Sequence, residues 1–288
     1  MLVDLVQTTT QDGIRLDGIY QESEAAESPL KLDAVVCLHG TGSNFYGSTL
    51  FEFLSGKFLK IGVSVLRVNT RGHDGISTAA TARGGLRQGA AFEVIDDCRA
   101  DIRAWVNWLA QSQCERVLLV GHSMGALKSL YTVANEKDLS VAGVVAISPP
   151  RLSCSWFLEN EKTGVFRETL QQSQQLVAAD EAQHVMTVTF PLPIVITAGG
   201  YVEKYGPEER YNFLNFLADV QPPTLLTFGS IEVENNVAFQ DSPNVIKHLS
   251  PRPKKTTVET ILAGDHMYTA VRDELWESME KWLRATFG

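Results

Sequence analysis

Cysteine is scarce, apolar runs are short and positive charge is outnumbered, and each shortage removes a class of protein. The four cysteines in 288 residues, Cys37, Cys98, Cys114 and Cys154, show no paired spacing, so nothing marks a disulfide framework. Cys37 falls in an apolar segment where a small buried thiol explains it, whereas Cys154 is expected to be accessible. No stretch approaches the roughly 18 uninterrupted apolar residues of a membrane span. Residues 1–7 carry no basic patch and are interrupted by Asp4, so they read as a strand and not as a signal peptide. With 25 Lys and Arg against 34 Asp and Glu, the net charge of −9 argues against a nucleic acid or an anionic membrane as partner. Gly-Lys-Ser, Gly-Lys-Thr and Gly-x-Gly-x-x-Gly are all missing, so no phosphate-binding loop is expected, and neither cofactor nor metal is called for. These exclusions leave a cytoplasmic protein whose partner is a small molecule.

What is present is an alternation of strand-like and helix-like segments, the pattern of a mostly parallel sheet covered on both faces. Strands are expected over residues 14–21, 34–38, 63–68, 116–120, 141–147, 224–228 and 257–262. A helix is expected over 91–110, where Ile95, Cys98, Ile102, Trp105, Val106 and Leu109 recur at helical steps. A last helix over 269–286 places Leu275, Trp276, Met279, Trp282 and Leu283 on one face. The stretch between the strands near 147 and 224 is too long for a plain connection. The expected division is therefore an α/β core of residues 1–150 and 222–288, with residues 151–221 forming a cap that contains helices near 164–179 and 207–218. Such an insertion is expected over the carboxyl edge of the sheet, where ligands bind.

Gly121-His122-Ser123-Met124-Gly125 fits Gly-x-Ser-x-Gly and sits between an apolar strand and a helix. A serine held in so sharp a turn needs small neighbours on both sides, which the two glycines supply, and Ser123 is the candidate nucleophile. A serine hydroxyl needs a base and a group to orient that base. Of the six histidines, His39 and His73 follow earlier strands and His122 belongs to the turn, which leaves His184, His248 and His266. His266, in the loop between the last strand and the last helix, reaches over the edge on which Ser123 emerges. His184 falls in the insertion and His248 in a polar loop. The orienting acid should follow the 224–228 strand, where Glu232 is preferred and Glu234 is the alternative; Asp265 is expected to be solvated. The oxyanion formed on attack needs backbone N–H donors, expected from Met124 and from Thr41 in His39-Gly40-Thr41-Gly42-Ser43.

Taken together, His39-Gly40, Arg71-Gly72-His73, the Ser123 pentapeptide, Phe228-Gly229 with Glu232, and Gly264-Asp265-His266 are similar in identity and order to the marks of the α/β-hydrolase superfamily. Within it the chain resembles small esterase- and lipase-like hydrolases, a likeness that includes the segment 205–212. The resemblance implies an α/β-hydrolase fold and acyl transfer to Ser123 assisted by His266, followed by release of the acyl group to water. A glutamate at 232 departs from the more usual aspartate. The leading expectation is hydrolysis of an ester or thioester of a small, moderately apolar acyl substrate. The alternatives are non-hydrolytic acyl transfer, cyclisation or elimination at the same site, and a ligand-binding module without turnover. Arg83, Arg87 and Arg151 are candidates for neutralising an anionic substrate, although solvated arginines near loops are the plainer expectation.

Overall fold

The computed structural model describes residues 3–25, 28–82, 84–160, 164–251 and 253–288. In chain order, β1 (Asp4–Thr9) and β2 (Arg15–Gln21) form a hairpin, followed by β3 (Ala34–Leu38), α1 (Thr49–Lys60) and β4 (Ser64–Val68). A second hairpin, β5 (Ser77–Thr81) and β6 (Gly84–Gln88), precedes α2 (Cys98–Gln111), β7 (Val117–His122), α3 (Met124–Asn135) and β8 (Gly143–Ile147). The chain then leaves the sheet through α4 (Cys154–Glu159), α5 (Gly164–Ala178), the hairpin β9 (Val185–Val188) and β10 (Ile194–Thr197), and α6 (Ala198–Tyr205). It returns as β11 (Thr224–Gly229), α7 (Ser230–Asn235), α8 (Ser242–Lys247), β12 (Thr256–Ile261) and α9 (Arg272–Phe287).

Eight strands make the central sheet in the order β1-β2-β4-β3-β7-β8-β11-β12. The pairs β1–β2 and β2–β4 are antiparallel, and every pair from β4 to β12 is parallel. The central strands are buried throughout because both faces of the sheet are covered, so they read as continuous apolar runs. Their residues still divide by the two-residue period of a strand. Val36, Leu119, Val144 and Leu226 face a core that includes Ile102, Trp105 and Leu130 of α2 and α3. Val35, Leu118, Val145 and Leu225 face a core that includes Phe51 and Phe58 of α1 and Leu275 and Met279 of α9. From β3 the chain steps outward to β4 and later returns to β7 on the other side, so the carboxyl ends of β3 and β7 open a crevice where the strand order reverses.

Three expectations are corrected. Residues 91–94 are not helical: the Phe92 N–H closes a turn on the Gly89 carbonyl, Glu93 is drawn inward, and a short 3-10 turn at Ile95–Asp97 leads into α2. The helix expected over 207–218 is replaced by two 3-10 turns, Phe213–Asn215 and Leu217–Asp219. That segment is held by side chains, because Glu209 accepts from Ser153, Ser155 and Asn212, and Asn212 caps the Leu214 N–H. The third helix of the excursion is α6, capped by Thr197, and the hairpin of β9 and β10 joins it to α5. His248, expected in a polar loop, instead ends the short helix α8. Among the described residues no helix is long and apolar enough to cross a membrane.

Candidate active site

Ser123 sits where β7 turns into α3, with φ 56° and ψ −122°, a backbone geometry that costs a non-glycine residue about 1–3 kcal/mol. Its surroundings enforce it: the Ser123 N–H donates to the Ile147 carbonyl at 2.8 Å, and its own carbonyl accepts from Ala126 and Leu127. The flanking glycines are required by close approach. A Cβ on Gly121 would lie 2.3 Å from the Gly125 carbonyl oxygen, and one on Gly125 would lie 2.0 Å from that of Leu38. A Cβ on Gly40 would stand 3.1 Å from that of Ser123, which places the loop after β3 directly against the serine.

His266, in the turn after β12, and Glu232, in the first turn of α7, come together at 2.7 Å between Nδ1 and Oε2. A carboxylate accepts, so Nδ1 carries the proton and Nε2 presents its lone pair. The other carboxylate oxygen accepts from the Gly229 N–H at 2.8 Å and from the Ser148 hydroxyl, itself in contact with the Tyr268 hydroxyl at 2.9 Å. Glu232 is thus buried with its oxygens satisfied. A glutamate suits this position because the third residue of a helix reaches back to the N-cap amide. His122 turns out to bear on His266: its Nε2–H donates to the His266 carbonyl at 2.8 Å, and the rings are 4.7 Å apart. Burial first and His266 second push the His122 pKa down to about 3, which keeps it neutral.

The loop after β3 is fixed by His39. The Thr70 N–H donates to Nε2 at 3.2 Å, so the proton resides on Nδ1 and is donated to the Gly40 carbonyl at 2.8 Å. Burial, then Lys128, hold the pKa of His39 at about 4, so this tautomer persists at neutral pH. Orienting the Gly40 carbonyl also orients the Thr41 N–H, because both belong to one planar trans peptide. The Met124 N–H opens α3 and has no intrahelical acceptor. Thr41, Ser123, Met124 and His266 border one cavity of about 340 Å³, whose other walls are mostly apolar, Leu152, Leu192 and Phe239 among them, with Ser43, Ser48, Tyr205 and Asn236 as polar members. The Ser123 hydroxyl has no hydrogen-bond partner among the described residues.

Other expected residues lie elsewhere. Glu234 is exposed and borders a neighbouring hollow with Glu159, apart from His266. His184 is exposed near Glu181, and His248 ends α8. Asp265 is not merely solvated, since it accepts the Met267 and Thr269 N–H groups. Cys154, read as accessible, is buried. Arg87 stands over Phe92 and Arg151 over Trp156, and neither borders the cavity; Arg83 lies outside the described residues. Sequence reasoning missed Ser148, which holds Glu232, and Tyr205, which reaches the cavity from α6. The apolar stripe of a helix gives no sign of Tyr205, and Ser148 follows β8 outside any helix.

One acid near the site titrates unusually. Burial raises Glu203 to about 7, against the opposing pull of Tyr211 and Lys204, and its Oε2 is buried without a partner. A carboxyl whose pKa is raised by folding stabilises the fold fully below its unfolded value, near 4.3, and loses that contribution as pH rises through 7. Glu203→Gln is therefore expected to melt like the parent at pH 5 and above it at pH 8, by an equivalent of about 1–3 kcal/mol, as scanning calorimetry at the two pH values would show.

A sequence profile of the alpha/beta hydrolase family matches residues 35–282. Among solved structures, the chain is similar to an esterase from Pyrococcus furiosus at TM-score 0.65 and 20% identity, covering 100% of this chain and 92% of that one. It is also similar to Est1E from Butyrivibrio proteoclasticus with ferulic acid bound, at TM-score 0.66 and 15% identity, covering 98% and 99%. The alpha/beta hydrolase GrgF from Penicillium sp. sh18 superposes at TM-score 0.72 and 15% identity, covering 100% and 99%. No functionally curated protein matches the sequence.

Proposed function

The chain belongs to the alpha/beta hydrolase family and is an enzyme of hydrolase type, and from that premise we propose that it cleaves a carboxylic ester or thioester through an acyl-enzyme on Ser123. In this reading residues 151–221 are the cap. The observation that carries it is the convergence on one cavity of Ser123 and the His266–Glu232 pair, which come from three separate turns. Ser123 Oγ attacks the substrate carbonyl carbon and its proton passes to His266 Nε2, while the Glu232 carboxylate keeps the ring oriented and stabilises the imidazolium. The Thr41 and Met124 N–H groups receive the oxyanion. Collapse of the tetrahedral intermediate expels the alcohol or thiol, protonated by His266, and water then repeats the sequence on the acyl-enzyme.

The cavity, at the small end of ligand sites and mostly apolar, favours a small, moderately apolar substrate. Similarity to two proteins of the kind, one an esterase and one holding ferulic acid, supports the same class. Two measurements test the reading. A fluorophosphonate probe is expected to label Ser123 close to stoichiometrically and to leave His266→Ala almost unlabelled, whereas equal labelling of both proteins would refute an activated serine. Hydrolysis in water enriched in heavy oxygen is expected to place one label in the acid product. Its absence would favour acyl transfer, cyclisation or elimination instead.

A further inference from the structure

Five tyrosines among the described residues are buried, Tyr131, Tyr201, Tyr205, Tyr211 and Tyr268. Four have a partner for the hydroxyl: Asp96 for Tyr131, the Phe190 carbonyl for Tyr201, Glu203 for Tyr211 and Ser148 for Tyr268. Tyr205, 1% exposed, has none among the described residues. Among the described residues its hydroxyl is neither paired nor one of the fully enclosed unpaired atoms, so it is open to the cavity the residue borders. Tyr205 borders the cavity that holds Ser123, where the cap otherwise contributes Leu152, Pro191 and Leu192. Its hydroxyl is the polar handle on an apolar ceiling.

The ring is also held in place. Tyr201 lies 4.9 Å away and Phe157 6.5 Å away, centroid to centroid. The helix α6 is tied to the core at both ends, through the Thr197 N–H to the Ala91 carbonyl at 2.9 Å and through Lys204 to Glu93 and the Ala90 carbonyl at 3.2 Å each. Burial, reinforced by Glu93, drives the phenol pKa upward, so the group stays neutral and keeps a proton to donate. A fixed, neutral donor that borders the cavity without a protein acceptor points to an acceptor on the ligand.

We propose that Tyr205 is a substrate-binding residue, and that the substrate carries an oxygen acceptor, a carbonyl, ether or hydroxyl, in the portion beneath the cap. The proposal rests on the reading of Ser123 as the reacting group, since it takes the shared cavity to be the substrate site. It names the substrate class further: an oxygenated acyl or alkyl chain in place of a plain hydrocarbon.

The test is calorimetric binding to the Ser123→Ala protein, which needs no turnover. The probes are butyl hexanoate and the esters in which an ether oxygen replaces the third, fourth or fifth acyl carbon or the third carbon of the butyl chain. For at least one position, the ratio of the all-carbon to the oxa-ester Kd is expected to fall roughly three- to tenfold when Tyr205→Phe is added, the size of one hydrogen bond. If that ratio is unchanged by Tyr205→Phe at every position, the proposal is overturned. Thermal unfolding of Tyr205→Phe is expected at or above the parent midpoint, because no protein partner is lost; a fall of several degrees would reveal a structural partner and also overturn it. Failure of the serine mechanism would appear separately, as ester hydrolysis that survives Ser123→Ala.

Discussion

Replacing Ser123 with alanine is expected to lower kcat/KM for a short-chain ester by about 10⁴- to 10⁶-fold, the loss seen when a nucleophile that works as one unit with its base is removed. The fold should not suffer. Alanine accepts the same backbone as serine, and the bonds that enforce φ 56° are main-chain bonds to Ile147, Ala126 and Leu127, which the substitution leaves in place. What remains after the change is the stabilisation offered by the Thr41 and Met124 amides and by cavity binding, so residual turnover above water is expected. Steady-state kinetics with a chromogenic ester, alongside circular dichroism and melting of both proteins, checks the result. A loss smaller than tenfold with an intact fold would sink the acyl-enzyme reading.

The core was legible because its determinants are local and periodic. The strands β3, β7, β8 and β11 are buried at every position and, apart from His122, Thr224 and Thr227, lack polar side chains, as burial on both faces favours, and the stripe of α2 repeats at helical steps. Glu232, three residues after Gly229, reaches the Gly229 amide with one carboxylate oxygen while the other meets His266. Two positions further on, Glu234 is carried to the exposed side of the short helix α7.

The stretch between β8 and β11 was legible only in part: the helix expected near 164–179 is α5, whereas the conformation of the rest is decided by contacts remote in sequence. Residues 207–218 have helix-compatible composition, yet Glu209 spends its carboxylate on Ser153 and Ser155 of a distant segment, which fixes turns instead. His122 belongs to the turn, yet its ring packs on His266 and anchors that residue's carbonyl, a contact that its place in the pentapeptide does not announce. Charge was the more misleading guide. Glu93 and Lys128 look like surface residues by type, and nothing in their spacing announces that Lys204, 111 positions after Glu93, completes a buried cluster with them.

Glu93→Gln is expected to remove about 3–5 kcal/mol of stability, the cost of stripping the counter-charge from a buried ion pair. Lys128, Glu93 and Lys204 have side chains at most 2% exposed, and both ammonium groups bond the one carboxylate. Lys128 also donates to Thr70 at 3.0 Å, next to the His39 ring that orients the Gly40 peptide. Burial alone would raise the Glu93 pKa, but Lys128 and Lys204 outweigh it and leave the carboxyl at about 2. A depressed acid contributes its stability above the unfolded value, near 4.3, and loses it as pH falls through about 2, so the parent should weaken across that window while Glu93→Gln changes little there. At pH 7 the variant should melt roughly 10 °C lower, from the ~2–4 °C per kcal/mol of chains this size. Replacing the whole cluster with Glu93→Leu, Lys128→Met and Lys204→Met should recover most of the loss, since an apolar cluster of similar volume leaves no charge unpaired. If Glu93→Gln alone melted within 2 °C of the parent at pH 7, the carboxylate would not be neutralising the two ammonium groups, and the joint it makes between α3 and α6 would carry no energy.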